Sequence, residues 1–254
     1  MRAARLVLSF VLILSSSPQL SSQQSPTTVT RDPQALSILT QCSSAMGASS
    51  TAPDIYAVGT ITPSNPQNPS ASVVLKSIGT DRVRSEINLP SGQQIYVLNN
   101  GRGFSLISRL KKYLPTHSTL YSRPEHLSAF ACGIDLTRLN VGVSYVSTET
   151  LRASPVHHLV FAAASPDPLQ KLISEFHIYL DTKSLRVVKT ANWVFAPDAI
   201  QNRSLWETYY DNYLSVGGVL FPMHIQHFLA GTQFDDWNFA SVRTDVPISQ
   251  NDFN

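Results

Sequence analysis

Apolar positions along the chain follow three patterns in turn. Leu6 to Leu14 form an apolar run broken only by Ser9, behind Arg2 and Arg5 and ahead of Pro18 and a series of small residues. A positive start, an apolar core and a small-residue exit make up the secretory signature. The run is far shorter than the roughly 20 residues a membrane-spanning helix needs. It predicts a signal peptide over residues 1–22, cleaved near Ser21 or Ser22, and a flexible polar leader over residues 23–32. The second pattern is helical. In DPQALSILTQCSSAMG the apolar residues Leu36, Leu39, Cys42 and Met46 recur at helical spacing. Asp32 serves as N-cap, Pro33 occupies the first helical position and Gly47 closes the segment.

The third pattern is alternation, and it fills most of the remaining chain. Ile55–Thr62, Ser72–Ile78, Arg82–Leu89, Gln94–Leu98 and Gly103–Ile107 read as strands of a meander. Arg82–Leu89 shows the period most cleanly, with Val83, Ile87 and Leu89 on one side and Arg82, Arg84 and Glu86 on the other. Asn99-Asn100-Gly101 is a hairpin signal. The stretch Arg109–Tyr121 is irregular and basic, Pro124–Cys132 reads as a short helix stopped by Gly133, and a further helical turn is expected over Asp135–Leu139. Strands resume at Val141–Ser147, His157–Ala163, Glu175–Asp181, Leu185–Phe195, Leu205–Val216, Val219–Leu229 and Thr232–Thr244, with a short helix between Pro166 and Ile173. Turns are marked at Asp181-Thr182-Lys183, Gly217-Gly218 and Ala230-Gly231. The βαβ alternation of a doubly wound nucleotide fold is missing.

Two late strands are apolar on both sides. Trp206, Tyr210 and Leu214 oppose Leu205, Tyr209 and Tyr213; Leu185, Val187, Trp193 and Phe195 oppose Val188 and Val194. A sheet with one wetted face does not need this, so a second layer or an apolar occupant is expected. A long meander with few helices must also curl. Capped by the first and middle helices, it would enclose a cavity.

Composition narrows the function. Of 19 Lys and Arg, two leave with the signal, and the remaining 17 balance 17 Asp and Glu. A formally neutral chain exerts no long-range pull on nucleic acid or anionic membranes, and a nucleic-acid partner is not expected. Cys42 and Cys132 are the two cysteines. In an exported protein they are permitted to pair as a disulfide; the other reading is two buried thiols acting as small apolar groups. No His or acidic cluster sits at ligand spacing around either, so no metal is expected. The sequence lacks GxSxG, HExxH and phosphate-cradling glycine loops. His157 and His158 point to opposite faces of a strand, as do His224 and His227, and Asp235 and Asp236 diverge likewise. Neither a cofactor nor catalysis is expected. Asn202-Arg203-Ser204 reads as a glycosylation acceptor only in a host that modifies exported chains.

The order of parts resembles the LolA-like family of outer-membrane lipoprotein-sorting proteins and related periplasmic lipid carriers, over most of the chain after the leader. The opening helix with Pro33 and Leu36 carries the resemblance. So do VVLKSIGTDRVRSEINL followed by GQQIYVLNNGRGF, the strand–turn–strand FHIYLDTKSLRVVK, the segment YYDNYLSVGGVLFPMHIQHF and the ending ASVRTDVPISQNDF. The resemblance implies a mainly β fold with a few helices (α+β): a strongly curved antiparallel sheet, an incomplete barrel covered by helices, formed by one domain over residues 33–254. It implies an extracytoplasmic, periplasmic or secreted carrier for a lipid, a lipoprotein acyl chain or another apolar ligand. Partners are then a lipid or acylated protein, or an envelope membrane-protein complex. An envelope structural or regulatory protein with the same fold is the other reading. The apolar lining would come from Phe161, Ile178, Leu180, Trp193, Phe195, Trp206, Tyr210, Met223 and Ile225, with Phe221 and Trp237 in the same aromatic set; taken one by one, the aromatic residues read first as ordinary core of a packed sheet. Arg82 or Arg84 stands roughly where carriers of the family place an early basic strand residue that holds the lid closed. Two solvated strand arginines are the plainer reading.

Overall fold

A computed structural model describes residues 29–48, 53–79, 82–99, 102–114, 131–133, 136, 140–196 and 199–254. The expected signal peptide lies outside the described residues, as do most of the leader and most of the helices expected over 124–132 and 135–139. Helix α1 (Pro33–Met46) is followed by β1 (Ile55–Pro63), β2 (Ala71–Ile78), β3 (Arg82–Leu89), β4 (Gly92–Asn99), β5 (Arg102–Ile107) and β6 (Leu110–Tyr113). Then come β7 (Val141–Leu151), β8 (Ser154–Ala163), α2 (Pro168–Ile173), β9 (Phe176–Asp181), β10 (Val187–Ala196), β11 (Ala199–Val216), β12 (Val219–Leu229) and β13 (Thr232–Arg243), with a closing 3-10 turn at Gln250–Phe253.

All thirteen strands belong to one antiparallel sheet in the order β6-β5-β4-β3-β2-β1-β13-β12-β11-β10-β9-β8-β7. Two meanders therefore meet at a single seam, β1 against β13, and the sheet does not close. Laid flat it would span roughly 55–60 Å at the usual strand spacing; sheets this wide coil, and this one forms a half-barrel.

Helix α1 lies across its concave side. Asp32 Oδ1 accepts from the amides of Gln34 (2.8 Å) and Ala35 (3.4 Å), satisfying donors that the first turn leaves unpaired. At the other end Gly47 adopts φ 68°, and a Cβ there would sit 1.9 Å from the Gly218 carbonyl oxygen. The helix thus starts at edge strand β7, where Asp32 N donates to Val143 O (2.9 Å), and ends on the β11–β12 turn. Fourteen residues span about 21 Å, enough to cross β8 to β11. Its Ala35, Ile38, Leu39, Cys42 and Met46 are buried against Val143, Leu159, Phe161, Ile178, Leu180, Phe221 and Ile225 in one continuous core. Cys42 is joined by a disulfide to Cys132, with Cα atoms 5.8 Å apart.

The convex side is covered in a different way. Phe253 is buried against Ile95 and Val97, with Ile78, Phe104, Leu106 and Ile248 around it. The closing segment is fastened by Arg84 Nη1 to Asp252 O (2.8 Å), Asn99 Nδ2 to Phe253 O (3.3 Å) and Lys76 Nζ to Asp252 Oδ2 (3.4 Å). Arg84, which also pairs with Glu86 at 2.6 Å, is therefore a fastening residue and not a solvated strand arginine.

Candidate ligand-binding hollow

Strand register decides which side chains face the hollow. Ile178 pairs with Thr190, Thr190 with Thr208 and Tyr210 with Ile225. These residues share the concave face with Phe161, Leu180, Trp206 and Met223. Thr190 Oγ1 and the Tyr210 hydroxyl are 3.0 Å apart and bury their polar atoms together. Seven of the nine expected lining residues thus come together on the concave side. Phe161, Ile178, Leu180, Tyr210 and Ile225 are buried in the core, and Trp206 and Met223 are half-buried.

Trp193 and Phe195 do not join them. Val187 pairs with Leu180 but Lys189 pairs with Tyr179, so one extra residue is inserted at Val188. Such a bulge reverses every side chain beyond it. Val187 stays inside, while Lys189, Ala191, Trp193 and Phe195 turn to the convex side. There Trp193 Nε1 donates to Glu175 Oε2 (3.0 Å) and Arg203 lies over its ring at 4.3 Å.

The convex surface of β7 to β11 is consequently a ladder of aromatic and charged groups, not a second apolar layer. Glu149 Oε1 sits 2.6 Å from His158 Nδ1, and His158 Nε2 is 2.8 Å from His177 Nδ1. Lys189 Nζ contacts Glu207 at 2.5 Å and lies over Tyr179 and Tyr209; Arg152 lies over Tyr209 at 4.0 Å. Burial lowers the pKa of His177 and raises that of Tyr179. Burial would raise Glu149 as well, but its hydrogen bonds from His158 and Ser147 outweigh this and hold it below the ordinary value. The two-sided apolarity of the sequence is thus resolved: tyrosine and tryptophan rings on the outer face are capped by the exposed Arg152 and Arg203 and by the buried Lys189 in its pair with Glu207.

The hollow carries one polar feature that strand alternation does not reveal. Leu229 pairs with Thr232 and Phe228 with Gln233, but His227 pairs with Asp235, so Phe234 is an inserted residue. The bulge brings Asp235 beside His227, with Oδ1 and Nδ1 2.6 Å apart. Trp206 stacks on His227 at 5.2 Å and Trp237 meets it edge-on at 5.4 Å. His224 and Asp236 form a second pair at 3.0 Å on the opposite face. Both histidines thus find carboxylates across one hairpin. A depression of about 500 Å³ opens at the other end of the sheet, lined by Arg186, Asp211, Asn212, Tyr213, Leu214 and Met223.

A half-barrel with an apolar concave face crossed by one long helix defines the LolA-like fold, and this chain has it. A domain assigned to outer-membrane lipoprotein sorting from Vibrio parahaemolyticus superposes with a TM-score of 0.56 at 12% identity, over 87% of this chain and 96% of that one. A LolA superfamily protein from Nitrosomonas europaea gives 0.55 at 11% identity, over 89% and 98%. A DUF1329 family protein from Desulfovibrio piger gives 0.58 at 11% identity, over 89% and 98%. No family model matches the sequence, and no curated protein matches it.

Proposed function

We propose that this chain is a divergent LolA-like, non-catalytic carrier or binding protein of the extracytoplasmic space, holding a lipid, a lipoprotein acyl chain or another apolar ligand against the concave face. The observation that carries the reading is the unclosed half-barrel whose inner wall from β8 to β13 is mainly apolar, with Thr190, Thr208 and the His227–Asp235 pair as its polar groups, and is crossed by helix α1. The fold it shares with a lipoprotein-sorting domain supports the same use. The Cys42–Cys132 disulfide supports an oxidising compartment, in keeping with a cleaved signal. Binding needs no reacting group: each methylene withdrawn from water contributes about 0.8 kcal/mol, so one acyl chain suffices.

The test is to purify the mature protein, extract it for lipid mass spectrometry and titrate a fluorescent fatty acid. A co-purified acylated molecule, or saturable displacement, is expected. A protein that yields no apolar molecule and leaves the probe unbound would defeat the reading. One observation favours the alternative of an envelope structural or regulatory protein: Phe161, Ile178, Leu180 and Ile225 are fully buried and already fill the space beneath α1. That alternative requires a stoichiometric membrane-protein partner in pull-downs from envelope extracts.

A further inference from the structure

The strand directions bring the β1–β2, β3–β4, β5–β6, β10–β11 and β12–β13 connections and helix α2 to one rim of the half-barrel, and the end of α1 with the β11–β12 turn to the opposite rim. Large apolar side chains are exposed mainly on the first rim. Ile107 and Leu110 flank the β5–β6 tip, Leu169 lies on α2, Val194 is near the end of β10, and Phe234 stands at the β12–β13 bulge. Leu110 is 73% exposed and Phe234 53%. Scattered exposed leucines need no explanation, but a set gathered on one border does.

The same rim carries five exposed cations. Arg109, Lys111, Lys112, Lys171 and Arg203 are exposed there, and none makes an ion pair among the described residues. Four carboxylates share the rim, but each is held by a partner of its own, so the cations are the groups left to meet an outside charge. Asp167 caps α2, Glu175 accepts from Trp193, and Asp235 and Asp236 pair with His227 and His224. From Ile87 to Pro124 the sequence holds no acidic residue, and three of its basic residues, Arg109, Lys111 and Lys112, stand at the β5–β6 tip of this rim. The overall charge balance therefore hides a local excess.

We propose that this rim docks on the surface of an anionic phospholipid bilayer. The contact points are spread along the arc of a half-barrel's edge, and a flat surface meets such an arc at several places at once. Exposed Leu, Ile and Phe beside Lys and Arg is the chemistry of an interfacial anchor: apolar tips enter the acyl boundary while cations stay among the phosphates. The Trp206–His227–Trp237 cluster lies toward the end of the concave face nearest this rim, so docking would bring that end of the sheet against lipid. The purpose of the contact rests on the carrier reading, but the contact itself is measured separately from ligand uptake.

The test is flotation of the mature protein, without residues 1–22, with vesicles of phosphatidylcholine alone or mixed with phosphatidylglycerol, across a salt series. Binding to the anionic vesicles only is expected. Lys111→Gln and Lys112→Gln should each weaken it about fivefold, the worth of one basic residue at such a surface. Leu110→Ser combined with Phe234→Ser should remove what survives high salt. Lys183→Gln, on the opposite rim, should change nothing. All of these positions are exposed, and thermal melts confirm folding. Equal affinity for neutral vesicles, or no vesicle binding by the folded wild type, overturns the proposal. So does a concentration-dependent dimer that Leu110→Ser abolishes, because the rim would then be a contact between copies. Fatty-acid displacement in the same samples separates the readings: uptake without docking defeats the membrane contact alone.

Discussion

Asp32 holds Tyr145. One oxygen of the Asp32 carboxylate caps α1, and the other, Oδ2, accepts from the Tyr145 amide at 3.3 Å on the outer edge of β7. A single side chain thus fixes the covering helix to the sheet border. Backbone hydrogen bonds from Gln34, then Tyr145, keep its pKa below the ordinary 3.8. The carboxylate contributes fully above the unfolded-state pKa, and the contribution is lost as pH falls through the lower folded value. Asp32→Asn should lower the melting midpoint by about 2–4 °C at neutral pH. The difference from wild type should shrink as pH falls below 3.8, and melts across a pH series check this.

Gly47 and Gly218 meet too closely for any side chain at residue 47. Gly47→Ala would need both a left-handed backbone and a Cβ 1.9 Å from a carbonyl oxygen. It should cost about 2 kcal/mol or more, read by urea unfolding. Gly142→Ala should show a smaller loss, since its Cβ would approach Thr30 O at 2.7 Å.

The disulfide closes a separation of 90 residues. Chain entropy places its contribution at about 4–5 kcal/mol as an upper figure. Reduction, or Cys42→Ser with Cys132→Ser, should lower unfolding stability by a large part of that, measured with and without reductant.

Tryptophan placement distinguishes the two faces of the sheet. A brominated fatty acid held in the hollow should quench Trp206 strongly and leave Trp193, on the convex side, bright. Trp206→Phe should remove most of the quenching and Trp193→Phe almost none. The reverse result would place the ligand on the outer face.

The β7–β8 turn places two non-glycine residues, Arg152 (φ 47°) and Ala153 (φ 67°), in left-handed conformations. Ala153→Gly should stabilise the protein by about 1 kcal/mol, seen as a higher denaturation midpoint with an unchanged slope.

Such turns also explain where reading the sequence stops short. Asp32, Pro33 and Gly47 marked α1 correctly, and β3 and β12 matched their alternation, because caps and period-2 patterns are local. Strand β6 went unseen because its hairpin turns through Ser108 (φ 50°) and Arg109 (φ 69°), which carry no turn signal. The ends of β7 and β8 were cut short for the same reason at Arg152-Ala153. On the concave face, Phe161, Ile178, Leu180, Tyr210 and Ile225 keep the side that their own alternation gives, because the inserted residues Val188 and Phe234 lie on other strands. Trp193, Phe195 and the His227–Asp235 pair do not. Their faces depend on single inserted residues at Val188 and Phe234, and a bulge is set by the partner strand, not by its own sequence.

The arrangement of two meanders joined at β1 and β13 has a mechanical consequence. Neither outer border pairs with another strand among the described residues: β7 is held on its outer side only by the short bridge from Thr30–Asp32. Small rotations shared among twelve neighbouring pairings would let the two wings spread or fold about the seam without giving up a backbone hydrogen bond. The spacing between them is therefore governed by bending stiffness and changes at a gradual cost.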